Sequence, residues 1–256
     1  MEEKIKEIFK IDSSVIQDRK IKSLFYNHES FNAEKKRIFD LNIESIKLIA
    51  LFNDETINIT PYKDEEYVYE EIYLITAKLK NDKNTDKIVD LIHFLIPNPV
   101  ILVLYYNNQI YISGSISRIN KHNDEKAILE EIHKSIWLPI DSDSQIYKEA
   151  IQSFDIKKYS YHSLKDFYED FIKAVILTNF IEMIGEFKYS SKYSIINISS
   201  LIKSFDDKSL VIITYKNEQK QTSSFGDKVV LQNNILKVEK EVEIIKNQAK
   251  ELIQNL

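Results

Sequence analysis

VILVLYYNNQIYISGSIS, residues Val100 to Ser117, decides how the first half of the chain is read. Two β-rich runs, VILVLYY and QIYISGSIS, flank Asn107-Asn108. A two-residue Asn-Asn connection tolerates positive φ, so the stretch predicts a tight antiparallel hairpin. Working upstream, KIVDLIHFLI predicts a helix that starts at Thr85 or Asp86 and stops at Pro97. Tyr67 to Lys80 reads as a long strand, with Tyr73, Ile75, Ala77 and Leu79 on one face by the period of two. Ile46–Asn53 and Glu55–Tyr62 read as two further strands turning at Asn53-Asp54. Asn32 is placed to cap a helix whose face continues through Ile38, Leu41 and Ser45. Downstream, Asp124 to Ile136 is expected to be helical. The order α-β-β-β-α-β-β-α predicts an α+β fold: an antiparallel sheet with helices on one side.

The second half reads as mostly helical. Gln145–Phe154 is a short helix. Ser163-Leu-Lys-Asp166 resembles a capping box with Asp in place of Glu. It opens a strongly apolar helix through Phe167, Phe171, Val175, Phe180 and Ile184, closed by Gly185. Tyr193–Gln221 is ambiguous, and SLVIITYK within it, Ser209 to Lys216, looks like a strand. The tail carries a heptad seam: Leu231, Ile235, Val238, Val242, Ile245, Ala249, Leu252 and Leu256 recur at alternating intervals of 4 and 3. Ile244, Ile253 and Leu236 widen the stripe. Such a seam must close on the chain's own body, on a neighbouring helix, or on a partner. The organisation expected is an α+β body over 1–140, a mostly helical region over 141–226 and a heptad helix over 227–256.

Composition narrows the function classes. The chain has 256 residues and a net charge of −5, without the bulk basic excess usual in duplex-DNA binders. The absence of cysteine excludes disulfides, thiolate metal sites and Cys nucleophiles, and suits a reducing cytoplasm. The longest apolar stretch, Pro99–Tyr106, is far too short to span a bilayer. With 3 glycines in the chain, a phosphate-cradling loop is not expected.

No catalytic motif emerges. His28, His93, His122, His133 and His162 form no HxH or HExxH pair, so neither a metal nor a cofactor is expected. Metal-dependent nucleases often end a strand in Glu-x-Lys after an upstream acid. Thr76-Ala77-Lys78 has Thr where Glu belongs, and Glu186-Phe187-Lys188 follows a helix end; Asp64 and Asp170 are the available acids. Glu71 shares a face with apolar residues and so needs a partner, with Lys36 or Arg37 as candidates. Two basic clusters, Arg19, Lys20 and Lys22, and Lys35, Lys36 and Arg37, lie among Phe25, Tyr26, Phe31 and Phe39. Basic and stacking groups interleaved in this way suit a nucleic-acid backbone. Glu71, Thr56, Lys20 and Lys36 are the residues singled out as a functional patch.

Several stretches together resemble one family. They are RKIKSLFYNHESFNAEKKRIFDLNIESIKLIALFNDETINI (Arg19–Ile59), EEIYLITAKLK (Glu70–Lys80), IVDLIHFLIPNPVILVLYYNNQIYIS, IWLPIDSDSQIYKEAI, and FGDKVVLQNNILKVEKEV with Asn233. They are similar to the prokaryotic proteins grouped as domain of unknown function 4391, except between about Gly185 and Ser224. The resemblance implies no enzymatic activity and no catalytic residue. It implies a place beside helicases and DNA methyltransferases in restriction-like or phage-defence loci. The function expected is therefore a non-catalytic accessory or assembly subunit, meeting a helicase or methyltransferase partner, or its own copy, through the tail. The alternative is a nucleic-acid-binding module, with or without nuclease activity.

Overall fold

The most apolar segments become the centre of a sheet because strands buried on both faces cannot alternate polar and apolar side chains. The computed structural model describes residues 1–96, 98–120 and 127–255. In it, β5 (Ile72–Leu79) and β6 (Val100–Tyr106) lie side by side and parallel. A parallel pair needs a crossover, which α5 (Thr85–Leu95) supplies. β6 then turns at Asn107 (φ 44°) and Asn108 (φ 65°) into β7 (Gln109–Ile119), the hairpin expected from the sequence. On the other side, β2 (Ile43–Phe52) and β1 (Ile16–Lys20) add antiparallel strands out to one edge. β8 (Ala127–Lys134) pairs β7 and ends the sheet, giving the order β1-β2-β5-β6-β7-β8. A two-stranded ribbon, β3 (Tyr62–Lys63) with β4 (Val68–Tyr69), stands apart, and β9 (Leu138–Pro139) pairs the start of β7.

The fold is α+β, with a sheet that is mixed through the β5–β6 pair and helices on both faces rather than one. Beneath one face lie α2 (Lys22–Tyr26), α3 (Ala33–Asn42) and α5, around Phe25, Phe39, Ile88 and Ile92. The other face is thicker. It carries α1 (Glu2–Ile8), α6 (Gln145–Gln152), α7 (Leu164–Leu177) and α8 (Asn179–Ile184). The split follows from strand parity: Tyr73, Ile75 and Ala77 face the thin layer, while Ile72 and Leu74 face the thick one.

Local chemistry starts the helices where the sequence says. Asn32 accepts the Lys35 amide at the head of α3. The Ser163 hydroxyl accepts the Asp166 amide and donates to the Asp166 carboxylate. Gly185 closes α8 at φ 73°. Four expected elements differ, the first being the single strand Tyr67–Lys80, which splits into β4 and β5 of separate sheets. Glu55–Tyr62 is no strand: Asn53 and Thr56 form a capping box that opens a one-turn helix, α4 (Asp54–Ile57). Of the expected helix Asp124–Ile136, residues 124–126 lie outside the described residues, and Ala127–Lys134 is β8, because the long β7 needs a partner for its free edge. Ser209–Lys216 is no strand either; it lies inside α9 (Ile195–Gln221), a 27-residue helix.

α7 sits on the sheet at Gly114. A Cβ there would meet Ile172 and Phe171 side-chain atoms at 2.6 Å. The buried Tyr168 hydroxyl donates to the Val100 carbonyl at 2.8 Å and accepts the Ser115 amide at 2.9 Å. Across the sheet, α5 buries His93, whose Nε2 lies 3.0 Å from the Ser113 hydroxyl. Burial drives its pKa down to about 3, so the ring is neutral in the fold.

Gly114→Ala should destabilise the protein by about 1–3 kcal/mol through overpacking. Tyr168→Phe should cost about 1–3 kcal/mol by orphaning the Ser115 amide. Urea denaturation followed by circular dichroism measures both. A His whose folded pKa is depressed contributes stability above its unfolded pKa and loses it as pH falls. Below about pH 6.5, His93 should therefore lower the unfolding free energy by up to about 1.4 kcal/mol per pH unit. Replacing it in His93→Leu should flatten that acid slope between about pH 6.5 and 5.5 in the same titration.

Candidate functional site

The register of β1, β2 and β5 places Arg19 opposite Leu48, and Leu48 opposite Ile75; one step along, Leu51 faces Tyr73. Directly opposed side chains project from the same face. The result is an apolar floor with Arg19 at one end and Glu71 and Tyr73 at the other. α2, the turn that follows it and the last turn of α5 wall this floor with Leu24, Phe25, His28 and Leu95, leaving a half-open cavity of about 400 Å³. Glu71 and Arg19, which the sequence singles out for separate reasons, thus line one space.

The partner of Glu71 is neither Lys36 nor Arg37. Its Oε2 accepts the Tyr73 hydroxyl at 2.6 Å, since a neighbour two residues along the same strand face is nearer than any helix cation. Burial, then the hydrogen bond and charge of Glu71, push the Tyr73 phenol up to about 12, so it stays a donor at neutral pH. His28 accepts the Ser30 amide through Nδ1 at 3.1 Å. Gln17 completes the rim. Nothing in the sequence pattern marks Tyr73, His28 or Gln17 as cavity residues; only the strand register and the fold of α2 bring them together.

The other basic residues do not converge there. Lys22 pairs with Asp40 at 3.6 Å. Lys35 donates to the Ser30 carbonyl and stands 4.1 Å from the centroid of Phe94. Lys20, Lys36 and Arg37 make no ion pair among the described residues. Phe25, Phe31 and Phe39 are buried against one another, with centroids 5.1–6.5 Å apart, so these rings belong to the core and form no exposed stacking row along a nucleic-acid strand. Thr56 is consumed by its capping box and also donates to the Leu51 carbonyl.

The acids weighed for a nuclease site are dispersed. Lys78 pairs with Glu44 at 2.7 Å. Asp64 accepts the Glu66 and Tyr67 amides of a turn, and Asp170 accepts the Ser160 amide. Lys188 donates to the Ile253 carbonyl. Among the described residues no cluster of three or more His, Asp or Glu could hold a metal ion.

The second surface is the tail. α10 (Phe225–Gln254) folds back on α9 as an antiparallel hairpin. Lys208 pairs with Glu241, Lys216 with Glu239, and Gln219 donates to the Lys228 carbonyl and Gln232. The heptad seam is the inner face of this hairpin. Ile235, Val238 and Ala249 are buried, and Leu231, Val242, Ile245 and Leu252 are half-buried; Leu256 lies outside the described residues. α9 supplies a matching row of Ile198, Leu201, Phe205, Ile212 and Tyr215. Lys208 and Gln219 interrupt this row, which hides it from a reading based on hydrophobicity alone. The base of the hairpin rests on α7 and α8.

Apolar side chains also remain on the solvent-exposed surface of the hairpin. Among the described residues, eight of fourteen exposed large apolar side chains fall within 210–244: Leu210, Val211, Ile213, Phe225, Val229, Val230, Leu236 and Ile244. Phe225 is 82% exposed. Spacings of 4 and 7 set Phe225, Val229 and Leu236 on one face of α10.

A family model described as Domain of unknown function (DUF4391) matches residues 12–242, leaving only α1 and the last turns of α10 outside. No curated protein and no solved structure matches the chain.

The inner seam makes a specific prediction. Ile235→Asp with Val238→Asp should open the distal hairpin, because a buried carboxylate without a partner costs several kcal/mol. Hydrogen exchange should then quicken in 205–240 while the β5, β6 and α7 amides stay protected.

Proposed function

The chain belongs to the DUF4391 family, and we propose that it acts as a non-catalytic accessory or assembly subunit that grips a partner protein with the distal half of the α9–α10 hairpin. The observation that carries this reading is that the distal half of the hairpin holds eight of the fourteen exposed large apolar side chains among the described residues, with Phe225, Val229 and Leu236 aligned on one face of α10. A soluble monomer rarely gathers such residues in one place without an interaction to serve. The inner seam being closed, the free surface is the exposed side of α10. Its large side chains, Phe225, Leu236 and Ile244, suit insertion into a partner's groove, where a few anchors carry most of the affinity.

Charge favours a protein over a bilayer as the covering surface. α10 carries Glu239, Glu241, Glu243 and Glu251 among its lysines, without the basic bias of an interfacial anchor. Among the described residues no helix is long and apolar enough to cross a membrane. The partner proposed is the helicase or methyltransferase chain implied by the sequence resemblance.

The test is co-purification with such a chain encoded beside this one. The wild type should co-elute in size-exclusion chromatography. Phe225→Ser with Leu236→Ser and Ile244→Ser should weaken the complex at least about tenfold, as losing interface anchors does, with an unchanged circular dichroism spectrum. Unaltered co-elution of the triple variant, or a wild type that never associates, overturns the proposal.

A further inference from the structure

We infer that the cavity beside the sheet edge binds a small anion whose body is a flat, apolar ring bearing an N–H donor, the chemistry of a purine mononucleotide. This site lies on the thin-layer face of the sheet, opposite the hairpin, and the inference does not depend on the assembly reading.

The floor decides the shape of the ligand. Leu48, Leu51 and Ile75 project side by side from adjacent strands, and a sheet face presents such side chains as a broad, shallow surface. Phe25 and Leu95 close the sides. About 400 Å³ falls within the range of small-molecule sites.

The polar groups decide its chemistry. Arg19 makes no ion pair or hydrogen bond among the described residues, so its guanidinium is free to bind an anion. Because Nδ1 of His28 accepts the Ser30 amide, the neutral ring carries its proton on Nε2 and offers a second donor. At the far end, Tyr73 occupies one oxygen of Glu71 and leaves the other as an acceptor. A simple fatty anion would satisfy Arg19 but would press apolar surface against that carboxylate, stripping it of water without a donor in return. The ligand must therefore carry an N–H group as well as a negative charge. The β1 and β5 backbones are two strand spacings apart, about 10 Å, and the Arg19 charge acts on the Tyr73 phenol, so the anion and the N–H donor must belong to one molecule lying across this floor. A ring with an N–H edge at one end and a phosphate at the other meets these demands.

Isothermal titration of the full chain with guanosine and adenosine 5′-monophosphates tests this. Guanosine, inorganic phosphate and L-phenylalanine are the comparison ligands. At least one mononucleotide should bind below about 1 mM, and its nucleoside about tenfold more weakly, the loss of one charge-assisted contact. Arg19→Ala should bring nucleotide affinity down to that of the nucleoside. Glu71→Gln should weaken nucleotide and nucleoside alike by about tenfold. Arg37→Ala, outside the cavity, should change neither. The inference is overturned if no nucleotide binds at about 1 mM, if inorganic phosphate binds as well as the nucleotide, if L-phenylalanine binds and nucleotides do not, or if Arg19→Ala and Glu71→Gln leave affinity unchanged.

Discussion

The seating of α7 on β7 at Gly114 is the contact on which the thick half of the molecule depends. Without a Cβ at that position, Phe171 and Ile172 settle directly on the strand. The Tyr168 hydroxyl then ties a carbonyl at the head of β6 to an amide in β7. Both tied groups are backbone, and a buried backbone group left unpaired would cost as much as a lost hydrogen bond. Every later helix takes its place from this one. α8 continues from α7 after a break at Thr178, whose hydroxyl accepts the Ile136 amide. α9 rests on α7, and α10 closes on α9.

The two faces of the sheet are covered unequally, and the inequality makes both candidate surfaces. On the thick face, helices outrun the sheet, so the distal hairpin has only itself to pack against, and apolar side chains remain exposed on it. On the thin face, the five-residue α2, with α3 and α5, falls short of covering the ten-residue β2 out to the β1 edge. The uncovered floor around Leu48 and Leu51 is the cavity. One surface is long, ridged and apolar, suited to a macromolecule. The other is small, walled and rimmed by opposite charges, suited to a small polar ligand with a flat body.

The heptad tail illustrates what a hydrophobic pattern conveys. Spacing of 4 and 3 states that a seam exists and that another helix must close it. It does not say whose helix. Here the chain's own α9 does so, although its VIIT run has strand propensity and Lys208 and Gln219 dilute its stripe. Lys208 is tolerated because Glu241 lies opposite. Of the three residues that the sequence shows as widening the stripe beyond a strict seam, Leu236 and Ile244 remain exposed and Ile253 is buried.

By itself the sequence determined whatever rests on neighbours a few residues apart. That includes the caps at Asn32 and Ser163, the Asn107-Asn108 turn, the Gly185 stop, the amphipathic helices and the α+β class. These depend on backbone dihedrals and short hydrogen bonds, whose partners lie within a turn of the chain. Tertiary structure alone decided that Ala127–Lys134 becomes an edge strand, that Ser209–Lys216 joins a helix, and that Glu71 finds Tyr73 and shares a cavity with Arg19. In the first two cases a long-range partner, β7 or the α10 seam, outweighed local propensity, because pairing a strand edge or sealing an apolar ridge is worth more than the fraction of a kcal/mol separating helix from strand preference at a residue. In the third, the positions came from strand register, which no single stretch of sequence encodes.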